Sequence, residues 1–401
     1  MSRAPDQSWK RMIIPVYGPT FLVSIGLGAI YPLVALTARN LGADIGTAAL
    51  MVGLMGLGQL LGDLPAGALA QRIGEKRAMT LAGVIDVAAL TTAWFAQSLA
   101  LFALAVLVTG LAAAVFGLAR HAYLTEAVPL HARARALSAL GGTSRVGMFI
   151  GPFISAGLLL IFEMQVAYAF AAGTGVAATI LTLAMPALPG ADTHDRSTGP
   201  RRRLGQVLWE HRRVLVILGA GVLVLSAVRS ARQGLVPLWC ESLGFDASTT
   251  SVIYGISAGV DMLMFLPGGA MMDRFGRVWG VLPALIIVGL GFVLLPLGQT
   301  PLQVTVLASL LGLGNGLSSG IVLTLGSDNA PVEGRSQFLG GWRVAADLGN
   351  TAGPLVISLI TVFAPLAAAS VAIGVVGWLG AGWLARWIPH FGSPPGRTRR
   401  T

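Results

Sequence analysis

Ten ionisable side chains stand inside otherwise apolar runs of this chain: Asp63, Asp86, Arg120, Glu126, Arg145, Arg229, Arg232, Asp261, Arg343 and Asp347. In hydrocarbon each costs several kcal/mol unless it is paired or hydrated, so each is a functional candidate by default. Asp63, Asp261 and Asp347 are of the type that takes up a proton when desolvated and gives it back when water or an arginine arrives. Arg229 and Arg232 could hold an anionic group bidentately. Alternatively they pair with Asp347 or Asp261, which stand at similar depth in their runs. Asp86 could satisfy Arg120 in the same way.

Other chemistries lack their residues. The five histidines, His121, His131, His194, His211 and His390, are scattered without metal-ligand spacing, so no metal is expected. There is no phosphate-binding glycine loop, no clustered catalytic constellation at a membrane surface and no sign of a cofactor. The single cysteine, Cys240, excludes an intramolecular disulfide and reads as a small apolar helix residue.

The elements carrying these charges follow from composition. The 401 residues are 55% hydrophobic and 11% charged, against roughly 25% charged in soluble domains. Crossing ~30 Å of hydrocarbon takes about 20 helical residues. Runs of that size are predicted at 12–37, 46–70, 78–97, 101–126, 136–161, 166–188, 214–240, 248–271, 278–298, 302–327, 337–361 and 366–387. They are too long, and alternate too little, for a barrel. No cleavable signal peptide is expected, because the first apolar run continues directly into a span. Trp9, Trp209, Trp239, Trp342 and Trp387 fall near span ends and read as interfacial anchors.

The net charge of +10 is distributed by side. Arg3, Lys10, Arg11, Arg72, Lys76, Arg77, Arg133, Arg135, the arginines of the central loop, Arg274, Arg277, Arg335 and the C-terminal arginines share one side; the other has Arg39. By the positive-inside rule the N-terminus, central loop and C-terminus are expected to face the cytoplasm, and the expected location is a bacterial inner membrane. The basic excess is a topology signal and calls for no nucleic acid. The loop 189–213 reads as a linker between a six-helix bundle over 1–188 and another over 214–401. Its Leu204–Arg213 portion is expected to form a short interfacial helix.

The chain also repeats itself at a shift of 202 residues. Leu64–Gly74 (LPAGALAQRIG) returns as Leu266–Gly276 (LPGGAMMDRFG), and Gly147, Gly151 and Pro152 return as Gly349, Gly353 and Pro354. One gapless offset across separate windows marks two copies of one unit. Six spans per copy is even, so both copies point the same way, with a site expected between them.

At these residues the chain resembles the major facilitator superfamily over its whole length. That resemblance implies an all-α membrane protein of twelve transmembrane helices in two pseudo-symmetric six-helix bundles. The family signature after the second helix, G-x-x-x-D-R-x-G-R-K/R, is matched by Gly269, Asp273, Arg274, Gly276 and Arg277. The N-terminal copy, Gly67, Gln71, Arg72, Gly74 and Arg77, has glutamine in place of aspartate. The resemblance makes these, with Glu126, a cytoplasmic latch whose glycines allow tight helix packing. Gly147, Gly151 and Pro152 resemble the G-x-x-x-G-P motif of drug/proton antiporters; small-residue packing with a proline bend explains them equally. The antiporter arginine of the fourth span is missing.

By the same resemblance the second and eleventh spans, and the fifth and eighth, lie side by side across the two halves. Depth then matches Asp63 with Arg343 and Asp261 with Arg145, two expected interdomain pairs; pairing within each half is the alternative. The function implied is secondary transport by alternating access: proton-coupled efflux of small hydrophobic or amphipathic compounds by a monomer in the lipid bilayer. The alternative is uptake of a metabolite by proton symport or facilitated diffusion. A membrane enzyme or a non-transporting scaffold is disfavoured, the first for want of a catalytic cluster and the second because paired latches suit a molecule that rocks.

Overall fold

The computed structural model describes residues 13–129, 132–186, 204–331 and 333–391, and it is helical throughout that range. The helices are α1 (Ile13–Ile30), α2 (Val34–Asn40), α3 (Ile45–Ile73), α4 (Glu75–Phe95), α5 (Leu99–Ala127), α6 (Arg133–Leu159) and α7 (Val166–Leu183). They continue as α8 (Leu204–Glu210), α9 (Arg212–Ser242), α10 (Ala247–Phe275), α11 (Arg277–Leu294), α12 (Pro301–Leu317), α13 (Ile321–Asn329), α14 (Arg335–Phe363) and α15 (Leu366–Phe391). Most of the predicted linker, with Trp9 and the terminal arginines, lies outside the described residues.

A helix stands at each of the twelve predicted spans. Ten spans are long and apolar enough to cross a membrane, and an eleventh joins them if α1 and α2, bent by 41° at their break, count as one. The remaining helix, α6, has 27 residues, enough for about 40 Å at 1.5 Å per residue. Arg133, Arg135 and Arg145 dilute its apolar character.

Two spans predicted as continuous are broken. Pro32, which has no N–H to give, sits in the turn between α1 and α2. Between α12 and α13 the chain turns through Gly320, at φ +83°. The hydroxyls of Ser318 and Ser319 both donate to the Asn315 carbonyl, at 3.0 and 3.1 Å. They satisfy an acceptor that the interrupted helix leaves over.

The chain divides into two compact units, Met1–Ser197 with Asp246–Gly255, and Thr198–Phe245 with Ile256–Thr401. The first is built by α1 packing on α6 and α7, α3 on α5, and α4 on α5 and α7. Its core gathers Ala66, Met79, Phe116, Tyr123 and Leu140, with the Tyr123 hydroxyl donating to the Pro186 carbonyl at 2.8 Å. In the second, α9 packs on α14 and α15, and α11 on α12 and α15.

The sequence repeat is a repeat of local geometry. Asp44 accepts the Thr47 amide at 2.6 Å, and Asp246 accepts the Thr249 amide at 2.6 Å, capping α3 and α10. The Thr47 amide holds the exposed Asp44 carboxyl below the usual carboxylate range. Gly74 (φ +84°) and Gly276 (φ +96°) end the same two helices in a backbone conformation that favours glycine.

The G-x-x-x-G motif is a packing device in both units. A Cβ on Gly147 would lie 2.6 Å from the Ser24 Cβ and 2.9 Å from the Phe21 carbonyl, and one on Gly151 would lie 2.6 Å from the Ala29 amide nitrogen. A Cβ on Gly349 would lie 2.7 Å from the Ser226 Cβ, and one on Gly353 would meet the Ala227 carbonyl. So α6 lies backbone to backbone on α1, and α14 on α9. By contrast, nothing lies within 4 Å of a Cβ on Gly67 or Gly269. The tight packing expected of these signature glycines is not made by them; the adjoining Gly268 makes it, its Cβ position 2.6 Å from the Leu317 carbonyl.

The tryptophans need a second correction. Trp239 and Trp342 are 9% and 2% exposed, buried within their unit rather than belting it. Their indole N–H groups donate to the Gly298 and Val322 carbonyls, at 3.0 and 2.7 Å, beside helix breaks. Trp209, at 69% exposed, fits an interfacial place, with the Arg212 guanidinium 4.4 Å above its ring.

Candidate functional site

The second unit carries a buried polar network on three of its helices. Arg229 and Arg232 come from the middle of α9, Ser257 and Asp261 from α10, and Asn315 from the last turn of α12, just before the Gly320 break. Arg229 and Arg232 are three residues apart and Ser257 and Asp261 four, so each pair shares one face of its helix.

The Arg229 Nε donates to Asn315 Oδ1 at 2.6 Å, and Asn315 Nδ2 donates to Asp261 Oδ2 at 2.5 Å. Arg232 stands 3.6 Å from the same Asp261 oxygen and donates to Ser257 Oγ at 3.1 Å. The Ser257 hydroxyl in turn donates a hydrogen bond to the Ala308 carbonyl. The Asn315 amide has one workable orientation, because its oxygen must face a donor and its nitrogen an acceptor. Asp261, Arg232 and Asn315 are each 8% exposed, while Arg229 is half-buried. Removing water in this way strengthens each electrostatic contact and makes an uncompensated charge expensive.

Of the two sequence readings for these arginines, Arg232 takes the internal pairing with Asp261, and Arg229 reaches that carboxylate through Asn315. Asn315 and Ser257 were not singled out from sequence. A lone asparagine in the small-residue run Gly312–Gly320 was the available signal. Asp347 receives Arg343 from one turn away on α14, at 3.6 Å. Asp86 and Arg120 form no ion pair with each other: Arg120 donates to Thr20 at 3.3 Å, while among the described residues its Nε and Asp86 Oδ1 have no hydrogen-bond partner. Asp63 is half-buried on α3, and Arg145 half-buried on α6.

The signature segment of the second unit is clamped by charge. Arg277 reaches Asp273 at 3.1 Å and Asp328, on α13, at 2.9 Å, tying the ends of three helices together. At the repeat positions of the first unit Asp273 becomes Gln71, Arg277 becomes Glu75 and Asp328 becomes Glu126, so this clamp has no cation there. Lys76 instead donates to the Met185 carbonyl at 2.6 Å, and the Gln71 side chain lies outside the described residues. Arg274 lies over the Phe275 ring at 5.2 Å.

Two repeated helical units, membrane-length spans and a buried charge network define a polytopic transport protein. The family model of the Major Facilitator Superfamily matches residues 18–354 and 221–401, and the chain belongs to that superfamily. It is a multi-pass membrane transporter and not an enzyme.

Among curated relatives, the multidrug resistance protein MdtH of Klebsiella pneumoniae is 25% identical over 340 residues, 83% of this chain and 82% of that one. A multi-drug resistance efflux pump PmrA homolog of Lactococcus lactis is 25% identical over 375 residues, 90% of each chain. Among solved structures, a variant of the nucleoside transporter NupG matches at a TM-score of 0.79 with 15% identity, over 93% of this chain and 99% of that one. The human organic anion transporter MFSD10 matches at 0.70 with 15% identity, over 95% and 100%. The structural likenesses speak for the fold alone.

Proposed function

We propose that this transporter is a proton-coupled exporter of small hydrophobic or amphipathic compounds, working by alternating access. The observation that carries the reading is the Arg229–Asn315–Asp261–Arg232 network. It is a carboxylate buried in a membrane helix, held by donors on two neighbouring helices. A proton on Asp261 would cancel the charge that orients Asn315 and Arg232, so protonation and helix arrangement are linked there. Two curated relatives named as multidrug resistance or efflux proteins support the export direction. Asp261 is thus the leading proton carrier, ahead of Asp63 and Asp347.

In this reading the bundles 1–188 and 214–401 rock about the linker 189–213. The Asp63–Arg343 and Asp261–Arg145 pairs close the cytoplasmic side, and both termini are cytoplasmic in a bacterial inner membrane. The unit of function is a monomer that needs no nucleic acid. The half-buried Arg229 favours one other reading, uptake of an anionic metabolite by proton symport or facilitated diffusion, with that guanidinium as its anchor.

Everted vesicles from a strain lacking its own efflux pumps separate these. Expected is uptake of a fluorescent lipophilic dye that requires an acid interior and collapses with a protonophore, and its loss in Asp261→Asn. Dye movement indifferent to ΔpH in the wild-type protein would overturn proton coupling. Movement only in right-side-out vesicles would overturn export.

A further inference from the structure

Asp86 belongs to none of the machinery above. It lies on α4 eleven residues from Glu75, about 16 Å along the axis at 1.5 Å per residue, near the middle of the span. It is 9% exposed, and its Oδ1 is buried without a hydrogen-bond partner among the described residues. It lines a cavity of about 10 Å³ with Val23 of α1, Gly83 of its own helix, Ala112 and Phe116 of α5, and Gly175 and Thr179 of α7. That volume fits about one water. Thr179 donates its proton to the Gly175 carbonyl at 2.8 Å, so towards the cavity its oxygen is an acceptor.

The charges around Asp86 do not balance it. On α5, Arg120 is turned to Thr20 of α1 and lies over the Phe116 ring at 5.8 Å, the same ring that walls the cavity. Neither α1 nor α7 carries a charged residue, and their tyrosines Tyr17 and Tyr168 bond to Ala136 and Thr37. On α3, Asp63 and Arg72 are the charged groups. On α4 itself Glu75, Lys76 and Arg77 stand at its far end, Lys76 engaged with Met185.

The fold does not require this carboxylate. At the repeat position of the second unit stands Val288, apolar and 4% exposed. The scaffold there closes with an apolar side chain. In the first unit a carboxyl occupies the equivalent place, beside a water-sized hole.

We propose that Asp86 is a second proton-binding site of the transporter, internal to the first unit, which exchanges its proton with a single water in the Asp86–Thr179 cavity. The step forms an O–H bond on the carboxylate as one breaks on a hydronium in the cavity, and it reverses when the cavity water takes the proton back. As a coupling site this rests on the proton-driven reading above; as a proton site it stands alone, and the experiment separates the two.

The full-length protein in liposomes is examined by acid-minus-alkaline infrared difference spectroscopy. The wild type should show carbonyl stretches of buried protonated carboxylic acids, one component of which Asp86→Asn and Asp86→Val lose and Asp261→Asn keeps. Val288 indicates that Asp86→Val folds. On wild-type protein, which needs no variant, a hydrophobic carbodiimide should label Asp86 in the α4 peptide at acid but not alkaline pH. An unchanged band in both variants, or labelling that spares Asp86 at every pH, overturns the site. ΔpH-driven dye flux should fall at least about tenfold in Asp86→Asn. If the band is lost while ΔpH-driven flux persists at the wild-type level, Asp86 binds a proton but has no part in coupling, and the coupling half of the proposal is overturned. Flux indifferent to ΔpH in the wild type would sink coupling and the exporter reading together, leaving the infrared band to decide the site.

Discussion

Asp261→Asn should leave Arg232 buried without its counter-charge. At 3.6 Å and an effective dielectric of about 20, two unit charges attract by about 4–5 kcal/mol. Removing one partner of a buried pair commonly costs about 3–5 kcal/mol, because the remaining charge stays desolvated. For a unit of this size that is a fall in Tm of about 6–20 °C. The chain supplies its own reporter: Cys240 is its single cysteine, buried on α9, the helix that carries both arginines. A thiol-reactive fluorogenic dye therefore reads the opening of that helix at one defined place. Arg232→Met alone should also destabilise, by taking a guanidinium away from the buried Asp261 carboxylate. The double variant Asp261→Asn with Arg232→Met removes both charges and should recover at least half of the loss seen in either single. If Asp261→Asn melts within about 1 °C of wild type, or if the double loss equals the sum of the singles, the pair is not energetically coupled and the site argument fails.

Three further outcomes are expected, the second of them from the proposed interdomain pairs. Gly151→Ala and Gly353→Ala each drive a methyl into the backbone of α1 or α9, and each should cost about 1–3 kcal/mol in the same dye assay. Gly67→Ala and Gly269→Ala meet nothing and should be neutral or slightly stabilising; a loss at these two matching the first two would refute the packing account. Reciprocal swaps, Asp63→Arg with Arg343→Asp and Asp261→Arg with Arg145→Asp, should restore part of the flux that each single swap abolishes, and recovery at neither pair rules out the interdomain bridges. Asp273→Asn, which leaves Arg277 its contact with Asp328, should shift stability by less than about 1 kcal/mol, since the Asp273 side chain is 80% exposed.

Much of the architecture was legible because lipid narrows the choices. Apolar runs of about 20 residues can only be spans, and the 202-residue repeat of Leu64–Gly74 as Leu266–Gly276 takes in the glycine helix ends at Gly74 and Gly276. The breaks at Pro32 and Gly320 were not legible as breaks, because hydropathy is blind to backbone direction. Trp239 and Trp342 misled for a related reason: position near a span end does not say whether a ring faces lipid or its own bundle, and both indoles found carbonyls inside. The ionisable residues announced themselves by their cost in hydrocarbon, but their partners depend on helix rotation. Depth counting offered Arg145 and Arg232 equally to Asp261. Asn315, neutral and surrounded by glycines, carried no charge to flag it, although it is the residue that links Arg229 to Asp261.

The repeat makes one further test possible, because it shows what the scaffold accepts where the network stands. The first-unit counterparts of Arg229, Arg232, Asp261 and Asn315 are Leu27, Ile30, Gln59 and Ala113. The same helical frame is thus built once with a charged network and once without. Replacing a buried ionic cluster as a whole by matched apolar residues is often neutral, or stabilising by about 1–4 kcal/mol, whereas breaking it piecemeal is not. The quadruple variant Arg229→Leu, Arg232→Ile, Asp261→Gln and Asn315→Ala should therefore fold, with a Tm at or above the wild-type value in the Cys240 dye assay. It should also have lost ΔpH-driven dye transport. The single variants should be less stable than the quadruple, an order that no additive scheme gives. Were the quadruple variant to unfold, the network would be a structural strut of the second unit and its charges would need no functional explanation. Were it to fold and still pump dye against a proton gradient, coupling would have to reside among the remaining carboxylates, Asp63, Asp86 and Asp347.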